Sequence, residues 1–118
     1  MLDFNEYQKK AHETADYPCG TIGAKAFPVN YLYPALGLAE EAGEVAGKYA
    51  KAIRDNHGAV LAHDRETEIV KELGDVLWFV SELATCLGVT LEGVAQKNLD
   101  KLASRKERGK IHGSGDNR

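Results

Sequence analysis

One stretch constrains the fold more than any other. Between residues 65 and 87, Ile69, Leu73, Val76, Leu77, Val80, Leu83 and Leu87 recur at helical spacing along a single stripe. The stripe predicts a core-facing helix from Arg65 to about Leu87, with Asp64 as N-cap, Glu66 and Glu68 in the first turn, and Gly88 as terminator. Three further helices follow from the punctuation around it. Asp3 with Glu6 fits a capping box, opening a helix that should reach about Asp16 before Tyr17-Pro18 halts it. A loop from Cys19 to Asn30 leads to a second helix, starting between Tyr31 and Pro34 and ending near Arg54, where Asp55-Asn56-His57-Gly58 supplies a stop. Thr90 caps a fourth helix that reaches about Arg108. No segment of convincing length has strand period, so the fold class is all-α. Residues 1–108 read as one domain and residues 109–118 as a flexible basic tail.

A chain of 118 residues can build one core but a thin one, which makes a homo-oligomer an open expectation. No apolar run approaches the roughly 18–20 residues of a membrane span, and Met1-Leu2-Asp3-Phe4-Asn5-Glu6 lacks the order of a secretion signal. A cytoplasmic protein without a membrane partner is expected. Cys19 and Cys86 are too few for a disulfide framework or a zinc pattern and read as reduced thiols. The formal charge of −3 hides an asymmetry: residues 1–96 hold 8 basic and 15 acidic side chains, whereas residues 97–118 hold 7 basic and 3 acidic. The acidic body and the basic end either pair with each other or bind cations and phosphates separately. The basic segment has no interleaved aromatics, which argues against a stable nucleic-acid partner. His12, His57, His63 and His112 share no helical face with one another and read as surface residues.

The chemistry concentrates in five carboxylates. Glu40, Glu41 and Glu44 stand on the second helix, and Glu72 and Asp75 on the third. Spacings of three and four residues stack like charges on one helix face, at a cost of about 0.2–0.5 kcal/mol per pair that a bound cation would reverse. On the second helix Leu36, Ala39, Gly43, Ala46 and Ala50 read as the packing face, with Gly43 and Gly47 permitting close approach of a neighbour. If the two helices form an antiparallel hairpin, their acidic edges meet around one pocket. Oxygen ligands without cysteine or histidine suit Mg²⁺, with Mn²⁺ as the variant. The alternative is a solvated face in which Glu44 pairs with Lys48.

On the fourth helix, Asn98, Lys101 and Arg105 interrupt or border the apolar line of Leu91, Val94, Ala95 and Leu102. Such groups need partners, and a carboxylate cluster or an anionic ligand would serve. Asn98 is also open to a role at an oligomer seam. Trp78 lies roughly opposite the core stripe, where a partner subunit or a ligand base would cover it, unless it lies partly exposed among long side chains.

Three segments carry a family resemblance: Tyr33-Pro34-Ala35-Leu36-Gly37-Leu38-Ala39-Glu40-Glu41-Ala42-Gly43-Glu44, Glu72-Leu73-Gly74-Asp75-Val76-Leu77-Trp78, and Asn98-Leu99-Asp100-Lys101-Leu102-Ala103-Ser104-Arg105. Together they resemble the MazG-like nucleoside triphosphate pyrophosphohydrolases, a branch of the all-α NTP pyrophosphatases. The family pattern is EExxE, an interval, then ExxD. Here 27 residues separate Glu44 from Glu72, towards the long end of that pattern. The resemblance implies Mg²⁺-dependent hydrolysis of a nucleoside triphosphate to the monophosphate and pyrophosphate, often to sanitise the nucleotide pool. It implies a homo-oligomer, dimeric or tetrameric, in which helical hairpins pair into four-helix bundles. By the same resemblance Glu41, Glu44, Glu72 and Asp75 would hold metal, with Glu40 and Glu41 as the catalytic carboxylates, Glu40 holding a second metal or orienting the attacking water. Lys101 and Arg105 would grip phosphates, Asn98 would contact sugar or base, and Trp78 is a candidate to stack the base. A phosphoribosyl-ATP pyrophosphohydrolase is the close alternative. A non-enzymatic helical oligomerisation module is the distant one.

Overall fold

The computed structural model describes the backbone of residues 1–17, 21–22, 27–56 and 63–118, and the side chains of 1–17, 31–55 and 66–118. Among the described residues four helices dominate: α1 (Phe4–His12), α2 (Val29–Asn56), α3 (His63–Cys86) and α4 (Leu91–Glu107). The all-α class holds. The only departure from it among the described residues is a short antiparallel pairing of β1 (Thr21–Ile22) with β2 (Phe27–Pro28), inside the segment expected as loop. Cys19, His57 and the side chains of His63 and Asp64 lie outside the described residues.

The caps behave as local chemistry dictates. Asp3 accepts from the Glu6 amide at 2.8 Å and Thr90 accepts from the Gly93 amide at 3.0 Å, each satisfying a donor that the first helical turn leaves open. The Glu6 side chain pairs with Lys10 at 2.7 Å. α1 ends at His12, one turn earlier than expected. The Ala11 carbonyl there is taken by three donors: the Thr14 amide at 3.0 Å, the Thr14 hydroxyl at 2.7 Å and the Trp78 indole N–H at 3.2 Å. α2 starts at Val29, ahead of the expected Tyr31–Pro34, and encloses Pro34, which is fully buried. α3 starts at His63, so Asp64 is a helical residue and not a cap. Its end is as expected: Gly88 follows in the left-handed region at φ +69°.

α2 and α3 form the hairpin around which the chain is organised, α1 packs on α3, and α4 leaves α3 at 101°. The face by which α2 meets α3 corrects the sequence expectation. Leu36, Ala39, Gly43, Ala46 and Ala50 are all exposed, while Pro34, Gly37 and Ala52 are buried and Leu38, Glu41, Val45 and Lys48 half-buried. The reason lies at Gly37: the Phe79 ring of α3 rests where a side chain on residue 37 would stand. An aromatic ring laid on helix backbone buries more apolar area than the alanine row could. Side chains at Gly43, Gly47 or Gly74 would meet no described atom within 4 Å, so no approach within this chain requires those glycines.

The same rotation leaves apolar surface without cover. Leu36 is 70% exposed, Ile53 64% and Val70 65%, and Leu73, expected in the core, is 50% exposed, as is Leu87 at 59%. The radius of gyration is 17.7 Å. A compact chain of this length would have about 13.5 Å.

Candidate functional site

Turning α2 through its Pro34–Gly37–Ala52 face sends Glu41 towards α3, because residue 41 follows Gly37 by four positions on the same helical row. From α3, Glu72 and Asp75 meet it one turn apart. Ligand oxygens of Glu41, Glu72 and Asp75 lie within 4.8 Å of one another, so three carboxylates from two helices converge as the spacing requires. Glu40 and Glu44 flank Glu41 on α2 and are exposed; neither belongs to the convergent group.

The electrostatics are those of an anionic cluster. The Glu41 carboxyl is pushed above its ordinary value, first by partial burial and then by the charges of Asp75, Glu72, Glu40 and Glu44 in that order. Among the described residues, one cation touches the cluster's edge. Lys48 Nζ lies 3.3 Å from Glu72 Oε1 and 3.3 Å from Glu68 Oε2, and these bonds hold its ammonium above the usual lysine range. The Glu44–Lys48 pair expected for a solvated face is thus replaced by pairing from Lys48 across the hairpin. The Tyr7 phenol of α1 is raised by burial and then by the charge of Asp75. Three hard oxygen donors with no cysteine or histidine suit a small divalent cation that keeps waters and takes further oxygens from phosphate.

The remaining predicted residues lie elsewhere. Trp78 is half-buried under α1, its N–H shared between the Thr14 hydroxyl at 2.9 Å and the Ala11 carbonyl, and its ring meets Phe79 edge-on at 4.9 Å. Its cover is therefore another helix of the same chain. Asn98 is exposed on α4. The hydrogen bonds of Lys101 and Arg105 run to residues 115 and 116, not to the acidic cluster.

The sequence reading does not single out Glu82, and the structure does. It is a wholly buried carboxylate. The Tyr17 hydroxyl donates to its Oε2 at 2.9 Å and His12 Nδ1 lies 3.1 Å from the same oxygen, so α1 and the chain after it are tied to α3. The signal was present: Asp75, Phe79, Glu82 and Cys86 recur at helical spacing on one row of α3.

Residues 32–109 match the family model of the MazG nucleotide pyrophosphohydrolase domain. The chain belongs to the MazG family. All the convergent carboxylates and the cations of α4 fall within the matched span. The MazG domain is all-α and is that of a pyrophosphohydrolase-type hydrolase, in agreement with the helical hairpin described above. The chain is also 46% identical over 116 residues to the Gene 37 protein of Mycobacterium phage L5, covering 95% of this chain and 96% of that protein. No solved structure is significantly similar to it.

Proposed function

We propose that this MazG-family chain hydrolyses a nucleoside triphosphate to the monophosphate and pyrophosphate in the cytoplasm, using Mg²⁺ or Mn²⁺. The observation that carries the reading is the convergence of Glu41, Glu72 and Asp75 within 4.8 Å, at an electrostatic disadvantage visible in the raised Glu41 carboxyl. These three residues would hold the ion. A divalent ion held there would supply charge neutralisation to the phosphates and would make water a better nucleophile. Glu40 and Glu44, exposed beside Glu41, add ligand oxygens or accept the proton of the attacking water. Attack of water at the α-phosphorus would expel pyrophosphate; to Lys101 and Arg105, which in the single chain bond residues 115 and 116 and not the carboxylates, we assign the offsetting of its charge.

The reading includes a homo-oligomer. Leu36, Ala39, Gly43, Ala46 and Ala50 on α2, with Val70 and Leu73 on α3, form an apolar and glycine-relieved surface that no described part of the chain covers. Pairing two such hairpins makes a four-helix bundle.

A pyrophosphate-release screen tests the reaction, with canonical, deoxy and damaged nucleoside triphosphates and phosphoribosyl-ATP offered with Mg²⁺. Phosphorus NMR of the products should show a monophosphate and pyrophosphate in equal amounts, and chelation should stop their formation. Diphosphate with inorganic phosphate, or no turnover on any substrate, contradicts the reading.

A further inference from the structure

Residues 110–118 fold back along α4. Gly109, at φ +64°, and Gly115, at φ +82°, take up the left-handed conformations that the reversal needs. The segment is held by the Lys110 amide on the Arg105 carbonyl at 2.7 Å, and by Arg108, whose guanidinium donates to the main-chain oxygen of Arg118 at 2.9 Å. The result places the Asp116 carboxylate on the two cations of α4. One oxygen, Oδ1, lies 3.1 Å from an Arg105 guanidinium nitrogen and 3.3 Å from Lys101 Nζ. The same Arg105 nitrogen reaches the main-chain oxygens of Asp116 at 3.2 Å and Gly115 at 3.3 Å.

Two features set this apart from an ordinary surface ion pair. First, the burial is lopsided: the Arg105 side chain is 7% exposed, whereas Asp116 is 81% exposed. Arg105 is held by burial, Lys101 is 41% exposed beside it, and the anion sits on the solvent side, where another anion could displace it. Second, the Arg105 Nε is buried and has no hydrogen-bond partner, so its guanidinium is left with a donor unspent. A carboxylate has two oxygens and cannot satisfy a guanidinium and an ammonium as fully as a phosphate chain can.

We propose that Asp116 is an internal stand-in for substrate phosphate: a latch formed by residues 110–118 that occupies Lys101 and Arg105 until a polyphosphate displaces it. The latch rests on the reading of these two cations as the phosphate grip. It makes the chain its own competitive inhibitor, with the segment released on substrate binding. Both main-chain carbonyls on Arg105 belong to the same segment, so one displacement frees the guanidinium nitrogen that holds them.

The test uses the full chain and tripolyphosphate in the presence of a chelator, so that binding is read apart from turnover. Calorimetric titration of the wild type and Asp116→Asn should show tripolyphosphate bound several-fold more tightly by the variant. Hydrogen exchange of the wild type should show residues 110–118 losing protection when tripolyphosphate saturates. Equal affinity in the two proteins, no binding by either, or an unchanged segment at saturation overturns the latch. Pyrophosphate release measured in parallel separates the two claims. A wild type that turns over substrate while Asp116→Asn gains no affinity rejects the latch alone. The affinity gain without turnover of any triphosphate supports the latch and rejects the hydrolase.

Discussion

Lys48 Nζ stands 3.3 Å from Glu72 Oε1, which makes it the one described ammonium that touches the convergent carboxylates. Lysine and a divalent ion held by the cluster would therefore compete for one oxygen. Replacing Lys48 with methionine keeps the apolar stem and removes the charge. The variant should melt at a lower temperature than wild type under chelation, because repulsion among Glu41, Glu72 and Asp75 loses its counter-charge, yet bind Mg²⁺ a few-fold more tightly. Thermal melts and a calorimetric titration with Mg²⁺ read both.

Glu41 supplies the pH dependence. Its carboxyl is raised in the folded chain, so folding favours the protonated form, and the ionised form is a burden on stability above the raised value. That burden is relieved as the pH falls through the raised value towards 4.5, the value for an unperturbed glutamate. Glu41→Gln should therefore be more stable than wild type at neutral pH without metal, with the gap closing on acidification. Saturating Mg²⁺ should reverse the order at neutral pH. Urea denaturation at a series of pH values, with and without Mg²⁺, follows the difference.

Glycines on α2 divide into two kinds. A methyl at Gly37 overlaps the Phe79 ring, so Gly37→Ala should cost about 1–3 kcal/mol, the range for overpacking a tight contact. A methyl at Gly43 meets nothing within the chain, and helix propensity alone makes Gly43→Ala neutral or stabilising by up to about 1 kcal/mol. If the exposed face of α2 is the seam of a homo-oligomer, Gly43→Ala should lower the mass measured by light scattering at a fixed concentration, while helicity by circular dichroism is retained.

Glu82 is a structural acid. Glu82→Ala removes the buried acceptor that ties Tyr17 and His12 to α3, leaving the Tyr17 hydroxyl its contact with Cys86 Sγ at 3.2 Å, and should destabilise the fold by about 1–3 kcal/mol. Glu82→Gln keeps one carbonyl oxygen for Tyr17 and should cost less. Urea midpoints rank the three proteins.

What could be read from the sequence follows the range of the forces involved. The caps at Asp3 and Thr90 and the terminator at Gly88 depend on a few neighbouring residues, and they stand where spacing puts them. The end of α1 does not, because Trp78, more than sixty residues away, competes for the Ala11 carbonyl. The five-acid spacing was visible at once, yet which acids converge depends on the rotation of α2. That rotation is decided by Gly37 against Phe79. The alanine-and-glycine row of α2 is an equally good packing face on a helical wheel, and the wheel alone does not say which of two usable faces meets the partner helix. The return of residues 110–118 onto α4 was not legible: the segment reads as a flexible tail, because glycines that permit a reversal do not specify where it docks.

The central claim is that Glu41, Glu72 and Asp75 surround a divalent ion. Electron paramagnetic resonance of Mn²⁺ titrated into the chain measures this directly, since bound and free ion are distinguished without any nucleotide. Wild type should remove Mn²⁺ from solution saturably, Mg²⁺ should displace it, and Glu72→Gln and Asp75→Asn, each shown folded by circular dichroism, should abolish the uptake. Uptake by both variants equal to that of wild type, or no uptake by the wild type, would contradict the account.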